Sequence, residues 1–342
     1  MKAIVFYRPG DIRFEEVATP TPGPGEVVVR IGSALTCGTD LKTYRRGHPV
    51  MMKKTPALFG HEWAGTVEAV GEGVDHVRVG DRVVAANSAP CHRCFTCRMG
   101  RVNLCEHLEF LNGAYAEYIR VPARIVQQNL LPLPGQLGFA EAALVEPLAC
   151  ALLGIERSGV RLGQTLCLFG AGPMGLLLTQ LAKRQGVTVI MVGKGRYRLD
   201  KAAEAGADEV LDAAQGDGVL AEVRRLSPEG RGADVTIEAT GRPEVWEHAV
   251  EVTRKAGSVV LFGGCEPGTS FRVDTRRMHY EELTLLGAFH HTPRHIREAL
   301  TLLAQGGINA DLLLTHRMAL RSLPEAFDLL QRGEAIKVAL KP

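Results

Sequence analysis

A chain of 342 residues, 46% of them hydrophobic, can fill more than one core, because single cores stop growing near ~250–300 residues. Two domains are expected. Its 40 Lys and Arg against 38 Asp and Glu are too balanced for the basic footprint of a nucleic-acid binder. No run reaches the ~18 apolar residues of a membrane span, and MKAIVFYRPG at the start lacks a leader's apolar stretch, so neither a membrane nor a nucleic-acid partner is expected, and the location is read as cytoplasmic.

In chain order, the first third sets short Val-rich runs between Pro and Gly turns. EVVVRIGSA (Glu26 to Ala34), WAGTVEAVG (Trp63 to Gly71) and DRVVAA (Asp81 to Ala86) read as β-strands by their alternation and flanking turn residues. Between the first two, Cys37 stands in the turn-like TCGTD, and His61 and Glu62 in FGHEWAG, where flanking glycines let adjacent side chains reach one centre. A reactive zinc needs about three protein ligands and an open position. Taken singly, a cysteine or histidine is more often an ordinary core residue, so on spacing alone these three are candidates only. Cys91, Cys94, Cys97 and Cys105 follow as C-x2-C-x2-C-x7-C. Four thiolates so spaced in a large chain point to a closed, structural tetrahedral zinc rather than to disulfides. An iron–sulfur cluster uses similar spacings, and His92, Arg93 and Arg98 would suit a nucleic-acid zinc ribbon, against which the charge balance argues. Glu146, in LVEPLAC, opens an apolar helix, where a buried carboxylate needs a partner or a metal.

From about residue 148 helical patterns alternate with the apolar runs TLCLFGAG, VTVIMVG, EVLD, VTIEAT, SVVLFGG and LTLLGA, the pattern of a parallel sheet covered on both faces. Gly170, Gly172 and Gly175, with Pro173 and Met174 between them, form G-x-G-x-x-G after the first of these strands and at the start of a helix. Such glycines permit the tight turn, the approach of a pyrophosphate and close helix packing. Thr240, ending VTIEAT, is assigned to the same cofactor site. The second strand ends at Gly193 without the acid that would hold a ribose 2'-hydroxyl, and Lys194 and Arg198 follow. Small and basic groups there suit a 2'-phosphate, so NADP is expected; the alternative is NAD with both charges merely solvated. After Gly287 come two more helical patterns and the run IKVAL, read as a strand returning to the first domain. The expected boundaries are 1–148, 149–287 and 288–342.

The motifs TPTPGPGEVVV, CGTD, GHE, VGDRV, the four-cysteine lobe, GAYAEY, LVEPLA, GAGPMG and THRMAL, in this order, resemble the zinc-containing medium-chain dehydrogenase/reductase superfamily, in its sorbitol (polyol) and threonine dehydrogenase branch, over essentially the whole chain. The resemblance implies an α/β protein with a GroES-like β catalytic domain in two sequence pieces and a doubly wound Rossmann domain, assembled as a homodimer or homotetramer. It also implies two zinc ions per chain, with Cys37 and His61 as ligands of the catalytic one, Glu62 as the third, and Glu146 as a ligand or a water-linked neighbour. Asp40 would orient His61 from behind, and Thr39 would contact the substrate oxygen and start a proton relay. Two departures bear on substrate: Lys42 stands where many relatives carry histidine, and His290 and His291, after Phe289, stand where polyol dehydrogenases carry Arg-Tyr. Lys42, Phe289 and the two histidines are therefore read as a possible substrate pocket, with a solvent-facing loop as the alternative for the histidines. The implied activity is hydride transfer between a secondary alcohol or polyol and the nicotinamide, in a cleft between domains. The alternatives are an NAD-linked threonine-type or simple secondary-alcohol dehydrogenase, and a non-catalytic zinc-stabilised nucleotide-binding protein.

Overall fold

The structure, a computed structural model, describes residues 1–48, 52, 54–216 and 218–342. The chain forms two compact units, Met1–Ala149 with His291–Pro342, and Cys150–His290. The first unit opens with β1 (Lys2–Arg8), β2 (Asp11–Glu16), β3 (Val27–Leu35), β4 (Ala57–Leu58), β5 (Glu62–Val70), β6 (Arg82–Ala85), β7 (Ser88–Ala89), β8 (Glu109–Phe110), β9 (Tyr118–Val121) and β10 (Leu130–Pro132). β3 is the hub, pairing antiparallel with both β5 and β9. Its Val27, Val29 and Ile31 join a core with Phe59, Trp63, Tyr115 and Phe327.

The second unit carries β11 (Thr165–Phe169), β12 (Thr188–Gly193), β13 (Glu209–Asp212), β14 (Ala233–Glu238), β15 (Thr253–Leu261) and β16 (Thr284–Gly287). Among the described residues they form one sheet in the order β13-β12-β11-β14-β15-β16, every pair parallel. This is the doubly wound order, with its reversal between β11 and β14. All five residues of β11 are buried, as a strand covered on both faces requires.

The chain then re-enters the first unit, where β17 (Leu314–Ala319) and β18 (Lys337–Lys341) pair parallel with each other and β18 pairs antiparallel with β3. The register places Leu35 opposite Glu62 on one side and Ala339 on the other. The end of β3 therefore gathers three distant segments, those of Cys37, of His61 and Glu62, and of β18. Among the described residues no helix is long and apolar enough to cross a membrane.

Candidate active site

In the second unit, Gly170 ends β11 with φ 116°, a conformation that favours glycine. A Cβ at Gly175 would lie 1.9 Å from the Gly170 carbonyl oxygen, whereas one at Gly172 would meet nothing within 4 Å. The third glycine therefore serves packing and the second keeps the backbone open to a ligand, the division a pyrophosphate turn requires. Gly172 caps the helix Pro173–Arg184, with Pro173 at its first position and Met174 next, and such an N-terminus favours an anion. Thr240 packs its methyl group 3.0 Å from where a Cβ on Gly170 would sit. It is held by buried Glu238, which accepts from the Thr240 hydroxyl, from its N–H (2.6 Å) and from the Trp246 indole (2.8 Å). Gly193 closes β12, and a Cβ there would fall 2.5 Å from that of Ala171. Lys194 is exposed and Arg198 half-buried, and burial lowers the pKa of Arg198.

The four-cysteine lobe stands on a two-stranded stem, β7 paired with β8. The sulfurs of Cys91, Cys94, Cys97 and Cys105 all lie within 4.8 Å of one another, and none forms a disulfide. The Thr96 hydroxyl brings the Cys94 thiol down to about 5, while burial pushes Cys97 up to about 12. Four crowded sulfurs cannot all ionise without a cation, and this donor set fits zinc.

Cys37 lies not in a turn but at the cap of the helix Gly38–Arg46, its sulfur accepting from Thr39 N–H at 3.4 Å. His61 follows Gly60, whose φ is 90°, and Glu62 begins β5. Ligand atoms of Cys37, His61 and Glu62 fall within 4.8 Å of one another. Asp40 Oδ1 takes His61 Nδ1 at 3.0 Å and Asp40 Oδ2 accepts from Tyr115 Oη at 2.5 Å. Burial opposes the protonated imidazole, but the Asp40 and Cys37 charges outweigh it and raise His61 well above its usual pKa. Glu62 is 0% exposed, and its Oε1 has no hydrogen-bond partner among the described residues. An orphaned buried carboxylate oxygen beside a thiol and an imidazole fits a metal ligand set with one acceptor to spare.

The other Glu62 oxygen accepts from Lys337 Nζ on β18, which also donates to Thr36 O at 2.8 Å. Lys337 is 1% exposed, and no local pattern in the sequence marks it. Burial alone would drive it towards neutral, but the Glu62 charge holds its pKa above the usual value. His48 is likewise unmarked by any local pattern: it is half-buried, and its pKa is lowered by burial and by the nearby His61. Glu146 is not among the three clustered ligands; burial pushes it to about 7, and its Oε1 lies 3.9 Å from His291 Nε2.

Lys42 is exposed. His291 does not face solvent: it is 3% exposed and bonds Asn87 Oδ1 at 3.0 Å. His290, with φ 62°, stacks on the exposed ring of Phe289 at 5.4 Å.

Residues 23–134 match the alcohol dehydrogenase GroES-like domain and residues 173–305 the zinc-binding dehydrogenase domain. The chain is 34% identical to a sorbitol dehydrogenase of Halalkalibacterium halodurans, over 100% of this chain and 99% of that protein. It is 33% identical to an (R,R)-butanediol dehydrogenase of Bacillus subtilis, over the full length of both. A protein from Sinorhizobium meliloti described as a zinc-binding dehydrogenase, solved bound to NADP, superposes with a TM-score of 0.91 at 31% identity, over 100% of this chain and 99% of that one.

Removing Lys337 would leave the Glu62 carboxylate buried without its counter-ion, at a cost of about 3–5 kcal/mol. Lys337→Met should therefore lower the melting temperature of the metal-free protein by about 4–7 °C, and saturating divalent metal should restore part of that loss. Paired melts with and without metal measure it; a shift below about 2 °C in both would show that the pair contributes nothing.

Proposed function

The chain belongs to the zinc-binding medium-chain dehydrogenase/reductase superfamily, and we propose that within it the protein interconverts a secondary alcohol or polyol and its ketone with NADP as the preferred nicotinamide. It is a zinc-dependent oxidoreductase that transfers hydride between an alcohol carbon and a nicotinamide cofactor. The observation that carries the finer reading is the buried set of Cys37, His61 and Glu62 with an unpartnered Glu62 oxygen.

Zinc held there supplies Lewis acidity, which lowers a hydroxyl pKa as it lowers that of water from 15.7 to ~7 in favourable sites. Cys37 and His61 hold it, and the free oxygen favours Glu62 over Glu146 as the third ligand. Asp40 occupies His61 Nδ1 and so leaves Nε2 for the metal, in the neutral tautomer that ligation needs. Thr39, in the first turn after Cys37, accepts the substrate proton. The exposure of Lys42 argues against it as the next carrier; half-buried His48 suits that step better. Buried His291, against Asn87 and Glu146, supports a pocket-lining rather than a solvent-facing role, with His290 and Phe289 beside it in sequence. Gly170, Gly172, Pro173, Met174, Gly175 and Thr240 cradle the cofactor, and Gly193, Lys194 and Arg198 receive its 2'-phosphate. Assembly as a homodimer or homotetramer is part of the reading, supported by the edge position of β16, which among the described residues has a strand partner on one side only.

Four outcomes test this. Elemental analysis should find two zinc ions per chain, and one or none at saturation would overturn the metal assignment. Cys97→Ser should weaken folding while Cys37→Ser abolishes turnover at near-normal stability; activity surviving in Cys37→Ser would remove Cys37 from the chemistry. In a screen of polyols, cyclitols, amino alcohols and simple secondary alcohols, failure of every one to reduce the cofactor would leave the non-catalytic reading. A charge-assisted bond is worth ~1.5–3 kcal/mol before desolvation, and even half of one gives about threefold. kcat/KM should accordingly favour NADP at least about threefold, and Lys194→Ala should erase most of that margin while leaving NAD turnover unchanged. A preference for NAD in the unmodified protein, at fixed ionic strength, would make both cations bystanders.

A further inference from the structure

We propose that Tyr115 is a positioning residue for the metal centre, acting through Asp40 on His61. The inference rests on the reading of Cys37, His61 and Glu62 as that centre. Asp40 is buried and has two oxygens to satisfy: Oδ1 holds His61 Nδ1 at 3.0 Å, and Oδ2 is met by Tyr115 Oη at 2.5 Å. The phenol oxygen also lies 3.1 Å from the Leu35 carbonyl. It has one proton to give, and the shorter, charge-assisted bond to the carboxylate takes it. A buried hydroxyl is costly unless bonded, so a phenol in this apolar core is accounted for by what its oxygen reaches.

The ring is gripped by the segment that carries His61. Phe59 meets it edge-on, with centroids 5.0 Å apart at 82°, and a Cβ on Gly60 would fall 2.7 Å from it. Tyr115 N–H donates to Phe59 O at 3.0 Å, and its own carbonyl accepts from Ile4 N–H at 2.8 Å. Backbone, ring and hydroxyl are thus all fixed relative to His61. Without the hydroxyl, one Asp40 oxygen loses this donor, the carboxylate is freer to turn, and the imidazole loses part of the partner that sets its orientation and basicity.

The test uses the zinc-loaded protein and competition with a chromophoric chelator, the four-cysteine lobe serving as internal reference. Tyr115→Phe, which keeps the ring, should weaken zinc at the reactive site about tenfold, at the low end of what outer groups contribute, with lobe zinc unchanged. In the Co(II)-substituted protein the same variant should shift the visible ligand-field bands of the reactive site alone. In an Asp40→Asn background the effect of Tyr115→Phe should shrink below twofold, since coupled residues are not additive. Affinity within twofold of the unmodified protein, or an equal loss with and without Asp40, would overturn the inference while leaving the metal centre in place. Binding of lobe metal only would overturn the metal centre and the inference with it.

Discussion

A carboxylate with no exposure, Glu62, set beside a thiol and an imidazole, is the constraint around which the first unit is built. Isolated buried charge is prohibitively costly, so it must be paired or coordinated. Lys337 answers one oxygen and Thr36 shares the lysine, while Asp40 and Tyr115 brace the imidazole from the other side. The partners come from three stretches of chain, residues 36–40, Tyr115 and Lys337; β3 gathers the first and last by pairing with β5 and β18 near one end, and Tyr115 is tied in through Phe59. The sheet is thus the means by which compensating charge reaches a place that water does not.

The proposed preference for NADP has a steric side as well as an electrostatic one. The absence of an acid at Gly193 reads at first as a simple lack of repulsion towards a phosphate. The Ala171 methyl occupies the space that any side chain at Gly193 would enter, so the small residue at the strand end and the small residue in the glycine turn form one packing unit. Converting the site to hold a ribose hydroxyl through an acid would require both positions to change together.

Much of this was legible from residue order. The strand–turn–helix setting of Gly170, Gly172 and Gly175 and the spacing of the four cysteines are local patterns with one physical purpose, and they needed no tertiary information. Cys37 reads as part of a turn because the helix it caps, GTDLKTYRR, is too polar to show apolar periodicity. Lys337 is invisible for another reason: in IKVAL a lysine reads as the outward residue of an alternating strand, whereas β18 is buried from Lys337 to Leu340 and the lysine's partners, Thr36 and Glu62, lie 301 and 275 residues away. For His291 the sequence leaves pocket lining and loop surface both open, because nothing in its neighbourhood announces Asn87, 204 residues away. Local chemistry could be read, whereas charge compensation across sequence distance could not.

The separation of Glu62 from Lys337 by 275 residues has a consequence during synthesis. A ribosome adding ~5–20 residues per second exposes Cys37, His61 and Glu62 roughly 15 to 55 s before it reaches the lysine. For that interval the nascent chain carries the ligands without their built-in cation, and the glutamate must stay hydrated, take up a proton or find another positive charge. An ion captured then would meet the glutamate oxygen that Lys337 leaves free, while closure of this half of the molecule waits for β18, the strand that brings the lysine.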